Sequence, residues 1–131
     1  METATFLLDT HTFLWAIAEP DKLSETVSGT MANVGNALLL SAASGWEAAL
    51  LWKLGRISLP SEPQRFIPEA LHRLSITPLP IGFDTSIAAA TLPMIHRDPF
   101  DRLIVAEAGK LDIPVLSKDR VLKRYEIQVI W

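Results

Sequence analysis

Short apolar runs alternate along this chain with longer stretches in which apolar residues recur every three or four positions. That alternation predicts strands and helices in turn. Ala4 to Leu8 is a continuous apolar run closing on Asp9 and reads as a buried strand. Thr12 to Ala18 follows as a short helix, and Ser24 opens a second one running to about Asn33. Ala37 to Leu40 is another buried strand; Ser44 to Lys53 is strongly helical, with Gly55 placed to end it. Gln64 to Arg73 predicts a further helix, with Phe66, Ile67, Ala70, Leu71 and Leu74 on its apolar side. Ile76 to Leu79 reads as a third strand that Pro78 and Pro80 make short or edge-like. Thr85 to Ala90 is a short helix and Pro99 to Leu111 a well-marked one. The strand Pro114 to Leu116, a short helix at Arg120 to Arg124 and a last strand, Ile127 to Ile130, close the chain.

Short buried strands alternating with helices predict an α/β fold with a mainly parallel sheet covered on both faces. The chain has 131 residues, which suits a single domain over residues 1–131 with a core of its own. The lack of cysteine excludes disulfides, thiolate zinc sites and cysteine nucleophiles. No apolar run approaches the roughly 18 residues that would span a bilayer. The segment Met1 to Asp9 lacks the basic flank of a signal peptide. The expected location is the cytoplasm, away from membranes. Net charge is −3, so no global basic field attracts nucleic acid. Seven of the twelve Lys and Arg residues nevertheless lie between Arg97 and Arg124. They form either a local basic rim or ordinary solvated helix faces.

The acids change the picture. In an open α/β sheet, ligands bind beyond the carboxyl ends of the strands. Asp9 directly follows the first strand, and Glu47 lies early in the helix after the second. Asp98 and Asp101 open the helix that leads into the fourth strand, and Asp119 follows that strand. All fall at one edge of the sheet although they are scattered along the chain. Each has a plain structural alternative: Asp9 and Asp119 as helix caps, Glu47 as a first-turn acid, and Asp98-Pro99 as an N-cap and N1 pair. Their coincidence carries the functional reading. Two like charges ~4 Å apart near a surface repel by roughly 4 kcal/mol, so a carboxylate cluster persists where protons or cations neutralise it. Oxygen ligands without thiolates favour Mg²⁺ or Mn²⁺, an arrangement suited to phosphodiester hydrolysis.

Four segments containing these acids resemble the motifs of PIN-domain ribonucleases of the VapC type, the toxins of type II toxin–antitoxin systems. They are Leu7 to Trp15, Ser41 to Glu47, His96 to Ile104 and Leu116 to Asp119. The closing Val129-Ile130-Trp131 is similar too, so the resemblance spans essentially the whole chain. It implies a three-layer α/β/α sandwich with a five-stranded parallel sheet, and a Mg²⁺-dependent endoribonuclease in which Mn²⁺ can substitute. It implies an acidic quartet of Asp9, Glu47, Asp101 and Asp119. Asp9 and Asp101 would be direct metal ligands; Glu47 and Asp119 would bind the metal through water, or orient and deprotonate the attacking water. Asp98 is a candidate to support the quartet, and Ser117 to hydrogen-bond either a phosphate or a quartet member. The implied partners are an RNA substrate, a cognate antitoxin with a basic inhibitory segment, and a second copy of the chain in a homodimer. Many relatives carry a lysine four residues after the second-motif glutamate; Leu51 stands there instead, with Lys53 two residues on.

Other residues have open roles. Arg97 and Arg102 flank the acids and either grip RNA phosphates or hold a carboxylate. His11 and His96 adjoin motif acids and serve either acid–base chemistry or polar packing; His72 reads as surface. The helix around Trp46 to Leu54 is apolar on more than one face, so it is buried or part of an interface. Trp15 and Trp52 are candidates for partner contact. Two alternatives to a nuclease remain. One is a catalytically silent RNA-binding relative. The other is a receiver-like signalling module, which would want paired acids after the first strand and a phosphoacceptor after the third.

Overall fold

The computed structural model describes residues 3–131. Five parallel strands form one sheet: β1 (Thr5–Leu8), β2 (Ala37–Ser41), β3 (Ile76–Leu79), β4 (Val115–Leu116) and β5 (Val129–Ile130), in the order β3-β2-β1-β4-β5. Six helices connect them: α1 (Thr10–Ala18), α2 (Glu25–Ala32), α3 (Ala42–Lys53), α4 (Pro63–Arg73), α5 (Phe83–Thr91) and α6 (Pro99–Leu111). β3 is an edge strand, as its prolines require.

The period-two side-chain alternation of the strands divides the core between the two faces. Leu8, Leu38, Leu40, Ile76 and Leu116 point to one face, where they meet Phe13 of α1, Val27 of α2 and Phe66, Ile67, Ala70 and Leu71 of α4. Leu7 and Val115 point to the other and meet Ile104, Val105 and Ala108 of α6, with Leu122 and Tyr125 beyond. Helices on both faces make the three-layer α/β/α sandwich. Fully buried side chains such as Phe13, Leu7 and Leu8 each contribute roughly 1.5–3 kcal/mol.

Local chemistry sets the boundaries. Ser24 caps α2, its hydroxyl accepting from Val27 N at 3.1 Å. Gly55 takes a left-handed φ of 73° just after α3, where a side chain would be strained. Two helices begin earlier than their apolar periodicity predicts. α1 starts at Thr10 because Asp9 is its N-cap. α3 starts at Ala42 because Ser41 is its cap, accepting from Ala43 N at 3.0 Å. Ser44 is buried and accepts the Thr10 hydroxyl at 2.9 Å. α5 also begins two residues before Thr85. β5 is shorter than Ile127 to Ile130, and Pro20–Lys22 forms a 3-10 turn that no periodicity announces.

The strand order places the topological switch between β1 and β4. β1 pairs with β2 on one side and with β4 on the other, and the chain crosses over only after β3. A crevice therefore opens beyond the carboxyl ends of β1 and β4.

Candidate active site

Five of the acids singled out from the sequence gather around that crevice. Asp9, Glu47, Asp98, Asp101 and Asp119 line one hollow of about 340 Å³, with His11, His96, Trp15 and Lys118. Asp9 leaves β1, Glu47 projects from α3, Asp101 from the first turn of α6, and Asp119 follows β4.

Capping and site roles coexist in the same side chains. Asp9 Oδ1 accepts from Thr10 N at 2.8 Å, while its Oδ2 accepts from the Ser117 hydroxyl at 2.6 Å. Asp119 Oδ1 accepts from Val121 N at 2.9 Å, leaving Oδ2 turned to His96. Asp98 Oδ1 accepts from Phe100 N at 2.9 Å, the N-cap of α6. One oxygen of each carboxylate thus anchors the side chain to a helix start. Ser117 ties β4 to β1: it donates to Asp9 and accepts from Asp119 N at 3.0 Å. It is buried and its hydrogen is committed, so it supports two acids and is not free to meet a phosphate.

Crowding these acids disturbs their protonation. Burial pushes Asp9 above the usual carboxylate range, against the hydrogen bonds from Ser117 and Thr10. Glu47 is also raised, by burial first and then by the charges of Asp98 and Asp9. Asp101 is pushed up to about 8, by burial and by the charges of Asp9, Asp98 and Glu47. Among the described residues no Lys or Arg forms an ion pair with any of the quartet. The site is a set of oxygen donors short of positive charge, and a hard divalent cation fits that donor set.

His96 sits among these carboxylates, a placement the sequence did not disclose beyond adjacency to Asp98. Its Nε2 lies 3.0 Å from Asp119 Oδ2 and 3.2 Å from Asp101 Oδ2. Its Nδ1 accepts from Asp98 N at 3.2 Å. A ring whose Nδ1 accepts carries its proton on Nε2, so His96 donates to the two acids. His96, Asp101 and Asp119 offer atoms within 4.8 Å of one another. With Nε2 protonated, however, the carboxylates are the donors available to a cation, and His96 orients them. His96→Gln, whose amide N–H can replace Nε2–H, is expected to keep divalent-ion affinity within a few-fold; His96→Leu is expected to lose ~10–100-fold. Calorimetric titration with Mn²⁺ checks this, and equal affinities for both variants would refute the orienting role.

The two arginines part ways. Arg102 is 6% exposed, and its guanidinium donates to the carbonyls of Ala90, Leu92, Pro93 and His96 at 2.9–3.2 Å. Its hydrogen bonds go to these carbonyls and not to a carboxylate; it folds the segment that carries His96. Arg97 is exposed but faces a separate hollow with Pro99 and Leu103. His11 lines the site without a hydrogen bond to an acid among the described residues, and His72 is exposed on α4. Leu51 packs against the core, while Lys53 is exposed away from the acids. Trp15 and Trp52 are both half-buried. The open apolar face of α3 is instead Trp46, Leu50 and Leu54, with Trp46 meeting Phe100 edge-on at 5.0 Å.

A doubly wound parallel sheet with carboxylates collected at its switch point defines a class of α/β proteins with an acidic site at the strand ends. The comparisons narrow it. The PIN domain family matches residues 6–128, and the chain belongs to that family. It is 32% identical over 124 residues to Ribonuclease VapC22 of Mycobacterium tuberculosis (strain ATCC 25618 / H37Rv), covering 92% of each chain. It is 34% identical over 61 residues to Ribonuclease VapC16 of the same organism, covering 47% of this chain and 43% of the relative. The fold resembles that of a chain in the crystal structure of VapBC2 from Rickettsia felis bound to a promoter DNA fragment (TM-score 0.67, 16% identity, 96% and 97% of the chains covered). It also resembles one in a toxin–antitoxin complex from Klebsiella pneumoniae (TM-score 0.65, 14% identity, 95% of each covered). No helix among the described residues is long and apolar enough to cross a membrane.

Proposed function

We propose that this protein is a divalent-metal-dependent endoribonuclease, the toxin of a toxin–antitoxin pair. The observation that carries the reading is the convergence of Asp9, Glu47, Asp101 and Asp119 on one hollow where, among the described residues, none of them forms an ion pair with a Lys or Arg. The VapC ribonucleases among its relatives support RNA as the substrate. The toxin–antitoxin complexes among its structural neighbours support a protein inhibitor. Asp9 and Asp101 would hold Mg²⁺ (or Mn²⁺) directly, and Glu47 and Asp119 through water. When bound, the ion supplies Lewis-acid charge stabilisation at the phosphate and lowers the pKa of bound water.

The remaining work belongs to the chain. Ser117 and Thr10 N–H fix both oxygens of Asp9 in one rotamer. His96 and Val121 N–H do the same for Asp119. Glu47, only half-buried and raised in pKa, is suited to accept a proton from an attacking water. The exposed apolar face of α3, at Trp46, Leu50 and Leu54, suits the proposed homodimer or antitoxin contact. The net charge of −3 complements a basic inhibitory segment.

The purified protein is expected to cut single-stranded RNA in Mg²⁺ and to stop in excess EDTA. Asp9→Asn is expected to fall more than ~100-fold in rate, beyond the usual cost of disturbing a metal's outer partners. Cleavage by Asp9→Asn at the parent rate would overturn the proposal. RNA binding without turnover in Mg²⁺ or Mn²⁺ would indicate a silent relative. A receiver-like role has no support in the geometry: β1 ends in one acid, and β3 is followed by Pro80 rather than an acceptor.

A further inference from the structure

The acidic hollow continues into a second one of about 480 Å³ beside α1, and His11 and Trp15 line both. Cations gather along this side. Lys118 lines the first hollow; Lys22 and Arg56 line the second. Lys118 Nζ and Lys22 Nζ lie 5.9 and 5.8 Å from the centre of the Trp15 ring. That ring meets Trp131 edge-on at 5.7 Å and His11 at 5.9 Å. Lys22 pairs with Glu19, but among the described residues neither Lys118 nor Arg56 has a carboxylate partner. The other flank differs. Arg102 is buried on carbonyls, Arg97 faces elsewhere, and Trp46 and Phe100 carry no charge.

An acidic site repels the polyanion it is to cut, so cations must bring the chain in beside it. Single-stranded nucleic acid is held by positive charge along its backbone and aromatic faces against its bases. Among the described residues, the Trp15 side of this site is the one that offers both. We infer that a single-stranded stretch of RNA enters along α1, a base against the Trp15 cluster and flanking phosphates on Lys118, Lys22 and Arg56. The inference rests on the ribonuclease reading and adds the direction of the substrate. A basic protein segment would meet like charge here, which favours RNA over an antitoxin as the occupant.

Steady-state cleavage of a fluorescein-labelled RNA of about 12 nucleotides in Mg²⁺ tests it. Trp15→Leu, Lys118→Ala and Arg56→Ala are each expected to raise KM about tenfold or less with kcat little changed, the mark of lost uniform binding. Each lysine or arginine removed is expected to reduce the slope of log affinity against log salt by roughly 0.7, which a purely structural effect would not do. Arg73→Ala, exposed at the end of α4 that leads into β3 and so at the opposite edge of the sheet, is expected to change neither. Should Trp15→Leu fail to fold, the two surface cation variants still decide the matter. A parent that cuts RNA alongside Lys118→Ala and Arg56→Ala variants of unchanged KM and salt slope overturns the track alone. A parent that cuts no RNA overturns the ribonuclease reading and the track together. Variants that cut RNA normally but no longer hold a co-expressed antitoxin assign the surface to protein, and also overturn it.

Discussion

Asp101→Asn is expected to lose RNA cleavage and to gain thermal stability in metal-free buffer, two opposite effects of one substitution. Asp101 is held at about 8 by burial and by Asp9, Asp98 and Glu47, whereas in the unfolded chain it titrates near 3.9. Its folded pKa is raised, so its contribution to stability is full below about pH 4 and is lost as pH rises through about 8. At pH 7 folding must therefore bind a proton or confine another negative charge. Asparagine needs neither. In EDTA the variant is expected to melt about 5 °C higher than the parent at pH 7, after allowing for partial solvent screening, with the gap closing towards pH 4. Mn²⁺ reverses the order: it stabilises the parent by binding only the folded state and has little hold on the variant. Because the carboxyl must give up its proton to a cation, ion binding near pH 7 is expected to release protons, and apparent Mn²⁺ affinity to rise with pH up to about 8. Melting curves in EDTA and Mn²⁺, with calorimetry in two buffers of different ionisation heat, measure all of this. A variant that still cuts RNA, or melts below the parent in EDTA, would show that Asp101 is not part of a shared cation site.

The strands were legible because their apolar runs are bounded by polar or turn residues. Asp9 closes β1 and Ser117 follows β4, so the acids could be assigned to one sheet edge before any coordinates. The boundaries of α1 and α3 were less legible, since the caps Asp9 and Ser41 sit at the ends of strands and make the loops vanish. Capping and ligand roles looked like alternatives for Asp9 and Asp119. In each, one oxygen caps a helix while the other faces Ser117 or His96 at the acidic hollow, so a capping role leaves the second oxygen at the site. The position of His96 was hidden for a different reason. It depends on how the segment between α5 and α6 folds back, and that segment has no periodicity to read. Tyr125 helps fix it, its hydroxyl accepting from His96 N at 2.8 Å and donating to Pro93 O at 3.1 Å. The same folding back buries Arg102, whose sequence context beside Asp101 suggests a phosphate or a carboxylate as its partner. Only tertiary structure reveals that its nearest acceptors are backbone carbonyls.

Arg102→Ala follows from that geometry and is expected to be costly to stability. The guanidinium supplies four bonds to carbonyls of residues 90–96, a segment outside regular secondary structure over most of its length. Buried acceptors left unpaired cost about 1–3 kcal/mol each, though water can relieve those nearer the surface. A net loss of about 3 kcal/mol, or roughly 10 °C in Tm, is the expected scale for a domain of this size. Arg102→Lys is expected to recover little, because an ammonium is a point donor and cannot replace a planar fork spanning four oxygens. The damage should reach the site through His96, whose carbonyl is one of the four and whose ring orients Asp101 and Asp119. Mn²⁺ affinity is therefore expected to fall with stability, by ~10-fold or more, at temperatures where the variant is still folded. An RNA-gripping arginine would behave in the opposite way: its loss would raise KM and leave both Tm and Mn²⁺ affinity unchanged. Thermal melts and calorimetry on Arg102→Ala and Arg102→Lys thus separate a side chain that touches substrate from one that holds the backbone beneath the acids.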